Sequence, residues 1–163
     1  MKKKIIIIAS VILIVAIGAG VFVWLSSQPK YMEGTNIRID GVYQERRTSI
    51  SNTAVGYIRF YESGRADYIS GDSKMTAEDA YRELNSGYNK NMMKSTFFQH
   101  SSGVSVAADG STTQLPELTI VFQRGIYPIT YEGSMKNDIL YFDVHSTYND
   151  SSYKQVYEFV KVK

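Results

Sequence analysis

The chain of 163 residues contains no cysteine. Disulfides, thiolate metal sites, thiol nucleophiles and lipid attachment through a processed cysteine are therefore excluded. Histidine is almost as scarce. His100 and His145 are the only two, and neither has a partner at metal-ligand spacing, so both read as surface or hydrogen-bonded side chains and no metal site is expected. Three prolines and one tryptophan complete the short supplies. Basic charge is also scarcer than it looks. Three of the 18 basic residues are Lys2, Lys3 and Lys4, which leaves 15 against 16 acidic ones in the rest of the chain. That balance gives no electrostatic footprint for nucleic acid, which calls for a basic patch or stripe.

Charge is wholly missing from Ile5–Leu25, a run of 21 residues rich in Ile, Val and Ala. As a helix this run is roughly 31 Å long, the thickness of a bilayer's hydrocarbon core. Trp24 stands near its far end, where an indole sits at headgroup level. The three lysines before it predict a cytoplasmic N-terminus, and so an extracytoplasmic C-terminal domain on a single-pass anchor running from Ile5 to Leu25. The alternative is a cleaved signal peptide with Gly18-Ala19-Gly20 as the cleavage site and a secreted product; four large apolar residues directly after those glycines argue for the anchor. Residues 26–35 are polar, contain Pro29 and Gly34, and read as a linker. Residues 36–163 have the length of one ordinary domain. A cysteine-free exported domain must rely on its core, which favours a bacterial setting and makes the sequon Asn149-Asp150-Ser151 a coincidence.

The domain reads as mainly β. In Val55–Tyr61, Ile58 and Phe60 fall on one face and Tyr57, Arg59 and Tyr61 on the other. Glu62-Ser63-Gly64 is a turn, and Arg65–Ser70 returns as the second arm of a hairpin. Thr76 with Asp79 forms a loose capping box opening a helix over Ala77–Leu84, placed on a sheet edge or over one end of a barrel. Between Asn89 and Pro116 only Phe97-Phe98 suggests a strand and Asp109-Gly110 a hairpin turn. Leu118–Gln123, Ile126–Glu132, Ile139–Ser146 and Tyr153–Val162 are strand-like runs with short links, hence antiparallel neighbours. Pro128 is expected at an edge or a bulge. Seven or eight strands and one short helix point to an antiparallel meander barrel, with a two-sheet sandwich as the alternative.

Asp40-Gly41-Val42-Tyr43 at the opening, the hairpin over Tyr57–Ser70, the late stretch Tyr127–Val144 and the closing Tyr157–Val162 resemble the small lipocalin-like β-barrel domains of exported bacterial proteins. The resemblance implies a barrel with an apolar cavity. It implies neither an enzyme nor a particular ligand.

Motifs for chemistry are thin. Ser151-Ser152-Tyr153-Lys154 matches Ser-x-x-Lys without its companion motifs and is placed in a turn. Asp72–Glu83 has the length of a calcium loop, but Ala77 stands where glycine is needed. Glu117, Glu132, Asp143 and Glu158 read as solvated strand faces, and no cofactor is expected. The 13 tyrosines are the compositional oddity. Ordinary β-propensity, with half-buried tyrosines covering the sheet, is the favoured reading; a contact surface for a ligand or partner is the functional alternative, with Tyr57, Arg59, Tyr61, Tyr131 and Tyr141 as its candidates. The expectation is thus a non-enzymatic, membrane-anchored barrel that binds a small apolar molecule or a partner protein. A structural subunit of a membrane complex and an envelope hydrolase are the alternatives.

Overall fold

The computed structural model describes residues 27–46, 53–87, 89–100, 104–106, 112–114 and 117–162, together with Val21 and Trp24. The anchor ends Ile5 and Leu25 lie outside the described residues. Among the described residues no helix is long and apolar enough to cross a membrane. The chain divides into two compact units, Met1–Lys30 and Tyr31–Lys163.

The second unit consists of β1 (Gly41–Glu45), β2 (Ala54–Phe60), β3 (Ala66–Asp72), α1 (Ala77–Ser86), β4 (Met92–His100), β5 (Val104–Val106), β6 (Thr112–Gln114), β7 (Leu118–Arg124), β8 (Tyr127–Lys136), β9 (Ile139–Ser146) and β10 (Ser151–Lys161). Eight of the strands form a closed antiparallel barrel in the order β1-β10-β9-β8-β7-β4-β3-β2, while β5 and β6 pair as a separate two-stranded sheet. Closure excludes the two-sheet sandwich, because no strand of the main sheet is left with a free edge.

Alternation sorts the side chains. Tyr43, Ile58, Phe60, Leu118, Ile120, Phe122, Tyr131, Leu140, Phe142 and Tyr157 are buried together inside the barrel. Much of this core is aromatic, with rings meeting edge to face, such as Phe122 with Tyr131 at 5.3 Å and Tyr131 with Phe142 at 5.5 Å between centroids. Met32 and Ile37 join the same core, so the segment before β1 packs against the end of the barrel where that strand begins. Arg38 fixes this segment: its guanidinium pairs with Asp40 at 2.8 Å and lies 4.0 Å over the Phe159 ring.

Helix α1 covers the outer face of β1, β2 and β3, rather than a sheet edge or an end of the barrel. Its Ala77, Ala80 and Leu84 form a second buried cluster with Val42, Val55, Tyr57 and Ile69. Thr76 and Asp79 make the capping box that the sequence suggests, and Gly87 ends the helix at φ 66°.

The last third differs from expectation in its turns. Gly133 lies within β8, not in a link, opposite Leu118 and Phe142. The turn is Asn137-Asp138, both at positive φ (52° and 60°), the geometry of a two-residue primed hairpin. Pro128 occupies neither an edge nor a bulge. It is the second residue of β8, where one missing donor costs little, and its carbonyl accepts from the Thr147 amide at 3.3 Å. The irregularity falls instead between Ser95 and Phe97 in β4, a strand of nine residues where only Phe97-Phe98 gave a signal. Val106 pairs with Thr112 around Asp109-Gly110, which lie outside the described residues.

At Gly133 the backbone of β8 comes so close to β9 that a Cβ would collide with the Tyr141 carbonyl oxygen. Gly133→Ala is expected to destabilise the barrel by at least about 2 kcal/mol, read as a lowered urea midpoint. An unchanged midpoint would show that β8 and β9 are not in this register.

Candidate functional site

The end of the barrel opposite Met32 and Ile37 carries a cavity of about 630 Å³ lined by Arg124, Gly125, Ile126, Tyr127, Ile129, Ser146, Tyr148, Asn149, Ser151 and Tyr153. Strand parity explains the set. Phe122, Tyr131, Val144 and Tyr157 point inward, so the residues two or four positions nearer this end, namely Arg124, Tyr127, Ile129, Ser146 and Tyr153, share the inward face. The β7–β8 turn has Gly125 at φ 62°. That turn leaves Ile126 81% exposed at the rim, beside Tyr148 at 70%. Tyr127 and Tyr148 meet edge to face at 5.2 Å.

Below the cavity the interior becomes polar before it becomes aromatic. Glu45 accepts from the Gly56 amide at 2.9 Å and from Gln155 Nε2 at 3.0 Å, and Tyr157 Oη donates to Gln155 Oε1 at 2.7 Å. Both carboxylate oxygens of Glu45 are thereby engaged within the wall. Burial raises the phenol pKa of Tyr68 to about 12, with the nearby Glu45 charge adding to the rise and Arg124 opposing it. Burial likewise drives Tyr131 and Tyr157 well above the ordinary phenol value. Tyr153, half in the cavity, is raised by burial and then by Glu45. The four phenols and Glu45 are thus one electrostatic group, and the Arg124 charge acts on it from the mouth.

The residues singled out in the sequence do not converge on one site. Tyr57, Arg59 and Tyr61 share the outer face, as the alternation predicts, and α1 lies over them. Tyr57 Oη donates to the Met75 carbonyl at 2.6 Å and Tyr61 Oη to the Leu84 carbonyl at 3.0 Å. Arg59 stacks on Tyr81 at 4.0 Å and Tyr61 at 4.7 Å, and Nη1 donates to Asn85 Oδ1. These contacts bind the last turn of α1, which has no basic residue of its own, and put a cation at the negative end of the helix. Asp67, opposite Arg59 and Lys94 in the sheet, is buried and pairs with Arg65 at 3.1 Å; burial raises its pKa while Arg65 pulls it down. Tyr131 is in the barrel interior at 2% exposure, and Tyr141 is on the outer surface at 43%.

Arg124, Tyr148, Tyr153 and Glu45 had no candidate status in the sequence. The available signal was positional: Arg124 and Glu45 end their strands, Tyr153 is near the start of β10, and Tyr148 is in the turn before it. Ser151–Lys154 lies in β10 rather than in a turn. Three residues along a strand reverse the face, and Lys154 pairs outward with Asp143 at 2.8 Å. His145 Nδ1 lies 3.0 Å from Ser152 Oγ, across the β9–β10 pair.

The buried phenols set a pH dependence. The folded chain keeps their protons where the unfolded chain, at the ordinary value of 10.0, releases them. Above about pH 10 the unfolded state holds fewer phenol protons, so the phenols' contribution to stability is flat below that pH and falls above it. Urea midpoints between pH 8 and 11.5 are expected to drop past about pH 10. The drop should be shallower in Tyr157→Phe by up to about 1.4 kcal/mol per pH unit. A slope that Tyr157→Phe leaves unchanged would contradict the burial of that phenol.

No family model matches this chain, and no curated protein or solved structure matches it either.

Proposed function

We propose that this chain is a non-enzymatic binding module whose lipocalin-like barrel receives a small ligand in the cavity at its open end. In the same reading Ile5–Leu25 is a single-pass anchor that holds the barrel on the extracytoplasmic side of the membrane. The observation that carries the binding reading is the cavity of about 630 Å³, in the size range of small-molecule sites. Its lining is that of a holding site: phenols and isoleucine for contact, hydroxyls and an amide for orientation, one guanidinium for charge. The apolar interior that the resemblance implies is already filled with aromatic side chains. The ligand is therefore assigned to the mouth and not to the barrel axis.

Docking to a partner protein is the second reading, favoured by the exposure of Ile126 and Tyr148 at the rim. A substitution separates the two. Ile129 is 8% exposed and lines the cavity, so Ile129→Trp fills it while leaving the rim in place. The full-length protein, purified from membranes and examined by native mass spectrometry, is expected to carry a small molecule that Ile129→Trp lacks and Tyr141→Ala retains. A bound mass unaffected by Ile129→Trp would remove the cavity from the function. A bound protein retained by Ile129→Trp and lost in Ile126→Asp would favour the second reading.

A further inference from the structure

The charges around the mouth are unequal. Among the described residues Arg124 is the only charged side chain that lines the cavity, and no carboxylate lines it. Among the described residues none forms an ion pair with it. Glu45, the carboxylate of the interior wall, has its two oxygens taken up by Gly56 and Gln155. Two other cavities differ in this respect. The one beside α1 is lined by Asp72, Lys74, Asp79, Arg82 and Glu83, with Arg82 and Asp79 paired at 2.8 Å. The one on the outer face of β8–β10 contains Asp143 and Lys154, also paired at 2.8 Å. Of these three cavities, the mouth cavity alone combines, among the described residues, an unneutralised guanidinium with an apolar and aromatic wall. A guanidinium is charged at any working pH and presents a planar fork that suits carboxylate and phosphate oxygens. Ile129 at the base and Tyr127, Tyr148 and Tyr153 around it offer faces for a flat or aliphatic body.

We propose that the mouth cavity selects a small amphipathic anion, with its carboxylate or phosphate on Arg124 and its apolar body against Ile129, Tyr127 and Tyr153. This rests on the ligand-binding reading above and adds the sign of the ligand's charge. A neutral ligand would gain nothing from the charge of the guanidinium, and a cation would be repelled by it.

The test uses four probes of one shape: naphthaleneacetate, naphthyl phosphate, neutral naphthaleneethanol and cationic naphthylmethylammonium. They are titrated calorimetrically into the full-length protein in phosphatidylcholine nanodiscs, with empty nanodiscs as the blank. The two anions are expected to bind about tenfold or more tighter than the alcohol, with the ammonium weakest. Arg124→Gln should bring the anions down to the level of the alcohol, Arg124→Lys should restore part of the difference, and Ile129→Trp should abolish binding of all four. Equal binding of anions and alcohol, unchanged in Arg124→Gln, would overturn the charge selection while the cavity remained a binding site. Anion binding that survives Ile129→Trp would overturn it by locating the anion elsewhere. Failure of all four probes would overturn both this inference and the reading beneath it.

Discussion

Five residue pairs, from Gly41 with Lys161 to Glu45 with Tyr157, join the first strand of the barrel to the last. Everything else in the molecule follows from that seam. Without it the sheet would end in two open edges, and the inward faces of β1 and β10 would have no common interior to share. The seam itself depends on a missing side chain: a Cβ at Gly41 would collide with the Val160 carbonyl oxygen and the Phe159 ring. It also carries the polar wall of the interior, because Glu45 on β1 meets Gln155 on β10. One glycine thus permits the closure, and one half-buried carboxylate is satisfied by it.

The two ends of the barrel are built differently. At one end Met32 and Ile37 sink into the core, and Tyr43 Oη accepts from the Arg38 amide at 2.9 Å, so the preceding segment acts as a stopper. At the other the strands stop before the aromatic packing does, and their last inward positions are Arg124, Tyr127, Ser146 and Ser151 rather than large aliphatics. The middle is filled. The space open to a ligand is therefore shallow, and its character is set by a few residues at strand ends. The outer face has its own division of labour: α1 covers Val42, Val55, Tyr57 and Ile69, which would otherwise form an exposed apolar patch.

Local pattern made the sheet legible. The alternation in Val55–Tyr61 assigned Ile58 and Phe60 to one face and Tyr57 and Arg59 to the other, and both assignments hold in the barrel. The capping box at Thr76 was visible because it needs only four consecutive residues. The site was not legible, because it depends on what lies across space. Arg59 between two tyrosines is as suitable for a ligand as for a helix end, and only the packing of Tyr81 and Asn85 over it decides. Arg124 sits beside a turn glycine and looks like any exposed link residue until the parity of β7 aims it at the mouth. Gly133 looked like a turn for the same reason: close backbone approach leaves no mark in sequence beyond the glycine itself.

Seven of the eight seams join strands that follow one another along the barrel, but the seam between β1 and β10 brings together residues as far apart as Gly41 and Lys161. Local hairpins carry little chain entropy cost, whereas this pairing must close almost the whole domain. Folding thus has a natural order in time: the meander assembles piecewise and the ring shuts last. During synthesis the delay is longer still, since β10 is the last of the eight barrel strands to leave the ribosome. Until then both edges of the sheet are open templates, and the nearest complementary edge belongs to the chain's own far end.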